Sequence, residues 1–459
     1  MPVKGFRIQN FMCFADSGWV ELRPLTLFYG YNSAGKSAFL RSLLLLRQTL
    51  RLPNRGPSLA PNDSPSEFMS DEGLTSLDVD SYSALVRDHE PGRCMSFWFE
   101  CDFNRDSKRP EVVTALEGLG IKPTVQVRLS YGLHNQQVTL QEVALYDEGE
   151  ALIINASAPQ AEPSALKPWH FEADFFREQP ANSWPLTALV VKEGFFPQFH
   201  VLSSQSDVGA FGHIQQLLCH CKRSIDAFFN SLEYVGPRGR NDLVSQGLGA
   251  NGLTAFLLDK QRIKQVNQWL AQFGFQVHLE VKALAHSENK IQLLFSDASP
   301  RRNPPFQTSI RDVGLGLSQI LPLLARTLLA PENSTLLIEQ PERNLHPRSQ
   351  SRLGDLLIYV AVRRKVRLLI ETHSENLLIR MRRRVAESTR GYVSASEKSY
   401  LPLSDLKVYF VDDRLGPSQV AELGIGEMGE IFTGATSFNG FFSDDLRDTV
   451  SMGKARLGV

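Results

Sequence analysis

The run Leu25-Thr-Leu-Phe-Tyr-Gly-Tyr-Asn-Ser-Ala-Gly-Lys-Ser37 decides the architecture. Leu25 to Tyr29 is short, apolar and bounded by a glycine, which reads as a buried strand. Ser37 to Leu50 then carries helical periodicity. Between them, Gly30 to Ser37 matches G-x-x-x-x-G-K-[ST], a glycine-rich loop that joins strand to helix and wraps phosphates. Backbone N–H groups along Gly30, Tyr31, Asn32, Ser33, Ala34, Gly35, Lys36, Ser37 and Ala38 are expected to face the phosphates of ATP. Lys36 is expected to reach the β and γ oxygens, and the Ser37 hydroxyl to ligate Mg2+.

Three later segments suit the same chemistry. Ser334-Thr-Leu-Leu-Ile-Glu-Gln-Pro-Glu342 is a buried strand ending in acids, the usual way to set a carboxylate beside a phosphate-bound metal. Glu339 is expected to hold Mg2+ through a water. Val366 to Ile370 is a second buried strand, followed by Glu371-Thr-His373-Ser. His373 there either senses a γ-phosphate or is a surface or capping residue. Asp312-Val-Gly314-Leu-Gly316-Leu-Ser318-Gln319 opens a helix ahead of the acidic strand. Its glycines allow close backbone approach, and Gly316, Ser318 and Gln319 at a helix start offer donors to a phosphate. A plain helix-start turn reads equally well.

Around these motifs the chain divides into an α/β core split between two regions and a large insertion. Residues 1–51 form the first core piece, with strands expected at Gly5–Phe11 and Gly18–Leu22. Residues 52–309 form the insertion. It starts with a Pro-, Ser- and Asp-rich loop, continues as a β lobe over about 92–205, and ends in helical and strand segments over 206–309. Residues 310–400 complete the core: helix, strand Thr335–Ile338, helix Pro347–Val362 and strand Val366–Ile370. Apolar strands alternating with helices imply a parallel sheet covered on both faces. Residues 401–459 form a C-terminal extension.

Composition narrows the class. Lys and Arg number 49 against 50 Asp and Glu, so any nucleic-acid contact must be local rather than carried by overall charge. Five cysteines, few and odd in number, argue against a disulfide framework and for a reducing compartment. No apolar run is long enough to cross a membrane, and the first residues lack the apolar stretch of a signal peptide. The expectation is a soluble cytoplasmic protein with no membrane contact.

FRIQNFMCF, LTLFYGYNSAGKSAFLRSLLLLRQ, EYVGPRGR, RDVGLGLSQILPLL, TLLIEQPERNLHP and LLIETHSENLLIRMRRR, in that order, resemble the ABC-type P-loop ATPases of the RecF, SMC and OLD kind. Within that group the chain looks most like bacterial ATPases found in anti-phage defence operons. The resemblance covers both core pieces well and the insertion poorly. It implies that Gly30–Ser37 is the Walker A loop, Glu339 the Walker B acid, His373 the switch histidine, Gly314–Gln319 the signature-like motif and Asn344–Pro347 the D-loop. It further implies a homodimer or higher homo-oligomer in which one copy's signature completes another's ATP site. The expected fold is an α/β P-loop NTPase, an ABC-type head carrying a β-rich and helical insertion.

One departure stands out. Relatives carry Asp-Glu where this chain has Glu339-Gln340, and a neutral amide cannot take a proton from water. Glu342, two residues on, is the expected general base; otherwise hydrolysis is very slow and ATP acts as a clamp.

Weaker features remain. Cys219-His220-Cys221 fans its side chains around a helix and reads as structural rather than as a metal site. The basic cluster Arg363, Arg364, Lys365, Arg367, Arg380, Arg382, Arg383 and Arg384 reads either as a local DNA or partner surface or as a solvated face. Too little chain follows Tyr400 to build a nuclease module, so an effector is expected to be a separate protein. The working reading is an ATPase that dimerises around ATP and regulates a bacterial defence complex. The alternatives are a DNA-repair or chromosome-maintenance ATPase of RecF or SMC type, and a nucleotide-binding scaffold that does not turn over.

Overall fold

The computed structural model describes residues 3–51, 85–90, 92–103, 110–134, 137–157, 169–172, 187–191, 198–202, 208–236, 259–283, 291–297, 307–309, 314–395 and 397–432. The expected Pro-rich loop after residue 52, the VGPRGR arginines Arg238 and Arg240, and Asp312 lie outside them.

The first strands are β1 (Val3–Phe11), β2 (Phe14–Asp16), β3 (Val20–Glu21) and β4 (Leu25–Gly30), and helix α1 (Lys36–Arg51) follows. β5 (Met95–Asp102), α2 (Pro110–Leu119), β6 (Thr124–His134), β7 (Gln137–Asp147) and β8 (Leu152–Ser157) come next. β9 (Trp169–Glu172), β10 (Thr187–Val191), β11 (Gln198–Leu202), α3 (Val208–Asn230) and β12 (Leu232–Val235) complete this half. Then come α4 (Lys260–Gln272), β13 (Val277–Ala283), β14 (Ile291–Asp297), β15 (Gln307–Ser309) and α5 (Leu315–Leu329). The last described elements are β16 (Thr335–Glu339), α6 (Pro347–Ile358), β17 (Arg367–Glu371), α7 (Glu375–Thr389), β18 (Leu406–Asp412), β19 (Gln419–Glu422), β20 (Gly424–Ile425) and β21 (Ile431–Phe432).

Two sheets dominate. The core sheet runs β12-β16-β17-β4-β18-β19, parallel except for β19 at one edge. The other is a ten-stranded antiparallel sheet, β11-β10-β9-β8-β7-β6-β5-β1-β2, with β3 also on β1. The strand pairing cuts across the segments expected from sequence. β1, from the first core piece, is hydrogen-bonded to β5 of the insertion, and β18, from the C-terminal extension, lies parallel beside β4 inside the core sheet.

Alternation along the core strands sorts their side chains to two faces. Phe28, Leu337, Leu369, Tyr409 and Val411 join the cluster shared with β1, β5, α1 and α3. Leu25, Leu27, Tyr29, Leu336, Ile338, Leu368, Ile370, Val408 and Phe410 face α4, α5, α6 and α7. Helix α1 is the wedge between the sheets. Its Phe39 meets Phe28 at 5.2 Å and Phe6 of β1 at 5.6 Å between ring centroids. Each such fully buried ring contributes about 2–3 kcal/mol of transfer free energy, so the helix leaving the phosphate loop is clamped from both sides. Among the described residues, no helix is long and apolar enough to cross a membrane.

Candidate functional site

The loop after β4 sits at the carboxyl end of the core sheet. Gly30 has φ 148°, and a Cβ there would lie 2.2 Å from the Val411 carbonyl oxygen of β18. Gly35, at φ 108°, leaves no room either, since its Cβ would meet Cys13 Sγ at 2.6 Å. Both glycines of the motif are thus required by backbone geometry as well as by close approach. Asn32 and Ser33 are exposed, and Ser33 takes a left-handed φ of 65°. Ala34 and Ala38 are buried against α1's surroundings. Lys36 is buried and its Nζ arches back to donate to the carbonyls of Gly30 (2.9 Å) and Tyr31 (2.6 Å). Burial lowers its pKa, with Glu371 and Asp413 opposing that shift.

Three carboxylates converge at the ends of β16 and β17. Glu339 and Glu371 are register partners on adjacent parallel strands, and both are buried. Ser37 donates its hydroxyl to Glu371 at 2.7 Å, not to Glu339. Glu339 is pushed above the ordinary carboxylate range first by burial and then by the Glu371 charge, with Arg41 and a Tyr234 hydrogen bond opposing. Its Oε1 is buried with no hydrogen-bond partner among the described residues. Glu342 is buried as well and accepts the His373 backbone N–H at 2.7 Å, while its Oε2 has no such partner. Burial pushes its pKa up; hydrogen bonds from the His373 N–H, its own N–H and Thr372 oppose that, and the Glu371 charge adds to it last.

Gln340 takes a left-handed φ of 45°, and its N–H donates to the Glu371 carbonyl at 2.8 Å. The reversal there carries the chain on to Glu342. His373 is half-buried. Its imidazole pKa is lowered by burial and then by the Lys36 charge, which places it within electrostatic reach of the loop.

The signature-like segment sits elsewhere. Gly314 is the N-cap of α5, and Gly314 and Leu315 are exposed. Ser318, expected to offer a hydroxyl, is fully buried and donates it to the Leu315 carbonyl at 3.0 Å. The first turn absorbs the serine hydroxyl locally, and the Leu317 and Ser318 N–H groups donate to the Gly314 carbonyl. Gln319 accepts from Asn344 at 3.1 Å, and a Cβ on Gly316 would meet the Asn344 carbonyl at 3.0 Å. Among the described residues, no hydrogen bond joins Gly314–Gln319 to Gly30–Ser37 of the same chain.

Glu371 and the Arg414–Asp412 pair over Tyr31 were missed from sequence. Glu371 ends its strand just as Glu339 does, and that symmetry was the available signal. Tyr31 lies under the Arg414 guanidinium, 4.2 Å from the ring centroid, with Arg414 paired to Asp412. No local pattern announces that contact. The residues of the basic cluster are engaged by partners on folding. Arg380 and Arg384 clamp Asp355, Arg383 pairs Glu387, Lys365 pairs Glu332, and Arg363, Arg364 and Arg382 donate to carbonyls.

The chain matches, over residues 272–380, the family model described as "AAA domain, putative AbiEii toxin, Type IV TA system". It is 28% identical over 149 residues to the lipoprotein-releasing system ATP-binding protein LolD of Syntrophus aciditrophicus (strain SB), a stretch spanning 29% of this chain and 66% of that relative. Among solved structures, it aligns over 93% of its length with an SmcHead bound to the C-winged helix domain of ScpA, covering 99% of that chain at 10% identity and TM-score 0.45. It aligns with the SMC head domain from Thermotoga maritima over 93% of its own and 100% of that chain, at 10% identity and TM-score 0.37. Strand, glycine loop and helix stand in the order that phosphate wrapping needs, with acidic strand ends alongside, and the family match falls on the segment that carries those acids. The chain has an α/β P-loop NTPase fold and is similar to ABC-type ATPases.

Proposed function

We propose that the chain binds ATP with Mg2+ at Gly30–Ser37 and hydrolyses it, and that two copies pair so that the α5 start of one closes the loop of the other. The observation that carries the hydrolytic reading is Glu342. It is a buried carboxylate whose Oε1 accepts the His373 N–H and whose Oε2 has no hydrogen-bond partner among the described residues, and burial raises its pKa, which makes it the stronger base. Gln340, at the position where relatives carry the base, cannot serve.

The donor set fits a magnesium ion. Ser37 and Glu371 are already joined, and Glu339 and Glu371 repel one another, which a cation between them and a phosphate would relieve. Among the described residues, no cluster of three or more His, Cys, Asp or Glu forms a ready-made cage. Magnesium in nucleotide sites takes one or two protein ligands and fills the rest with phosphate and water. Ser37 and Glu339 or Glu371 would hold it, and when bound it neutralises charge on the phosphate oxygens. The chain's own groups do the rest. Lys36 exchanges the Gly30 and Tyr31 carbonyls for phosphate oxygens, and loop N–H groups fix their positions. Glu342 takes the proton of the attacking water, and His373 stands by the γ position.

Pairing is supported by the exposure of Gly314 and Leu315 and by the absence, among the described residues, of a hydrogen bond between Gly314–Gln319 and Gly30–Ser37 of one chain. For the biological setting we propose a regulatory role in a bacterial defence complex with a separate effector protein; the family model matched over residues 272–380 is described by a putative toxin and a type IV toxin–antitoxin system.

Leu315→Asp tests the pairing. Leu315 is 55% exposed, so the change leaves the fold alone while placing a charge against the partner's phosphates. Sedimentation of the parent with ATP and Mg2+ should show a dimer. The variant should stay monomeric and lose most turnover while keeping its affinity for ATP. A dimer in the variant, or none in the parent, would remove the pairing from the proposal.

A further inference from the structure

At the amino end of the core sheet, opposite the loop, lies a cleft of about 450 Å3 that the nucleotide chemistry does not use. It is built from the segments that enter the parallel strands: Arg23-Pro24 before β4, Asn333 before β16, Lys365-Val366 before β17, and Ser404-Asp405 before β18. Arg367, the first residue of β17, forms part of its wall. Glu371 at the other end of that strand belongs to the loop site, about 13 Å away at about 3.3 Å per residue.

Four cations border the cleft: Lys4, Arg23, Lys365 and Arg367. Lys4 pairs with Asp102, Arg23 with Glu21 and Lys365 with Glu332. Arg367 differs. It is 94% buried by the complement of its 6% exposure. It donates through Nη1 to the Val3 carbonyl at 2.7 Å, and no carboxylate among the described residues pairs with it. Burial pushes its pKa down to about 10, with no acid opposing the shift. A guanidinium taken out of water without a counter-charge is costly, and such groups are ordinarily compensated by an anion. Arg23 adds a second unmet need: its Nε is buried without a hydrogen-bond partner among the described residues. The planar forks of two arginines suit the oxygens of a phosphate better than a single point charge would. Asp405, pushed up by burial and partly offset by Arg23, and Asn333 supply polar groups on the same wall for the remainder of a ligand. The volume lies within the range of small-molecule sites and exceeds what a bare phosphate fills.

We propose that this cleft binds a small phosphorylated molecule, its phosphate oxygens taken by Arg367 and Arg23 and its polar body by Asp405 and Asn333. The site stands apart from the loop at Gly30–Ser37 and is independent of whether ATP is hydrolysed there.

The test is calorimetric titration of the full chain carrying Lys36→Ala with two probes, inorganic phosphate and glycerol 3-phosphate. The substitution weakens phosphate binding at the loop, and the Arg23→Gln and Arg367→Met variants assign what remains to the cleft. Both probes should bind, with glycerol 3-phosphate the tighter. Adding Arg23→Gln should weaken both by about tenfold or more, as loss of a charge-assisted hydrogen bond does. Arg367→Met should abolish binding. Should that variant fail to fold, Arg23→Gln alone decides, since its side chain is 38% exposed and its loss leaves no cavity. Absence of heat with either probe in Lys36→Ala protein would overturn the proposal, and so would unchanged affinity in Arg23→Gln.

Discussion

Replacing Glu342 by Gln separates chemistry from folding. The amide keeps an oxygen to accept the His373 N–H, and it removes a charge that burial and Glu371 both disfavour. Against that gain, the new NH2 group occupies the position of Oε2, which has no partner among the described residues, and a buried unmet donor costs about 1–3 kcal/mol. The two effects oppose, so unfolding stability should stay within about 1 kcal/mol of the parent. Catalysis should not. Loss of a positioned general base lowers turnover about 10²–10⁴-fold, or about 3–5 kcal/mol of barrier. Steady-state phosphate release at saturating ATP and Mg2+, with a denaturation curve on the same sample, measures both. The parent's pH profile carries a matching signature. A base works only when ionised, and this one is raised, so activity should fall in acid at a pH above the ordinary glutamate value of about 4.3. Glu342→Gln protein that turns over ATP like the parent at unchanged stability would refute the assignment.

Three further outcomes follow from the packing. Gly30→Ala must move β18 or distort the loop, because its Cβ would sit 2.2 Å from a backbone oxygen at a φ favouring glycine. A loss of about 3 kcal/mol in urea unfolding is expected, together with loss of nucleotide binding. Asp355→Asn leaves Arg380 and Arg384 facing a neutral group and should cost about 3 kcal/mol at pH 7. Burial alone would raise the Asp355 pKa, but the two arginines more than offset it and hold the folded value below the unfolded one. Its stabilisation is therefore complete above about pH 4 and is lost as pH falls through the folded value, so the variant's stability should vary less over that acid range. Glu371→Gln should raise the magnesium concentration for half-maximal turnover about tenfold or more, read from a metal titration, since it weakens the group that holds Ser37.

Local pattern carried much of this structure. Strand, loop and helix from Leu25 to Leu50, the insertion strands β5 to β8, and β16 and β17 were all legible because burial imposes its period directly on the sequence. Partnership was not. Nothing in Val3–Phe11 says that its neighbour is β5 rather than β4, because both pairings satisfy the same alternation. Nothing in Leu406–Asp412 announces that it completes the core sheet. At the site, the acids were readable as strand ends, but Ser37 chose Glu371 over Glu339 through sheet register, a property of three strands at once. Ser318 turned inward because a serine in the first turn of a helix finds a carbonyl within reach. The pairing of the basic cluster was not legible, because its partners Glu332, Asp355 and Glu387 are dispersed along the chain.

Strand β4 is translated early, yet both of its flanking strands come late: Leu25 meets Leu368 on one side, and Gly30 meets Val411 on the other. At about 5–20 residues per second, the ribosome delivers Val411 on the order of 20–80 s after Gly30. For that interval the apolar strand and the helix behind it have no finished surface to lie on. Such distant pairings also close slowly once available. A nascent chain stalled short of β18 should therefore be unable to retain nucleotide and should present a sticky stretch to chaperones, although its entire phosphate-loop motif has already been made.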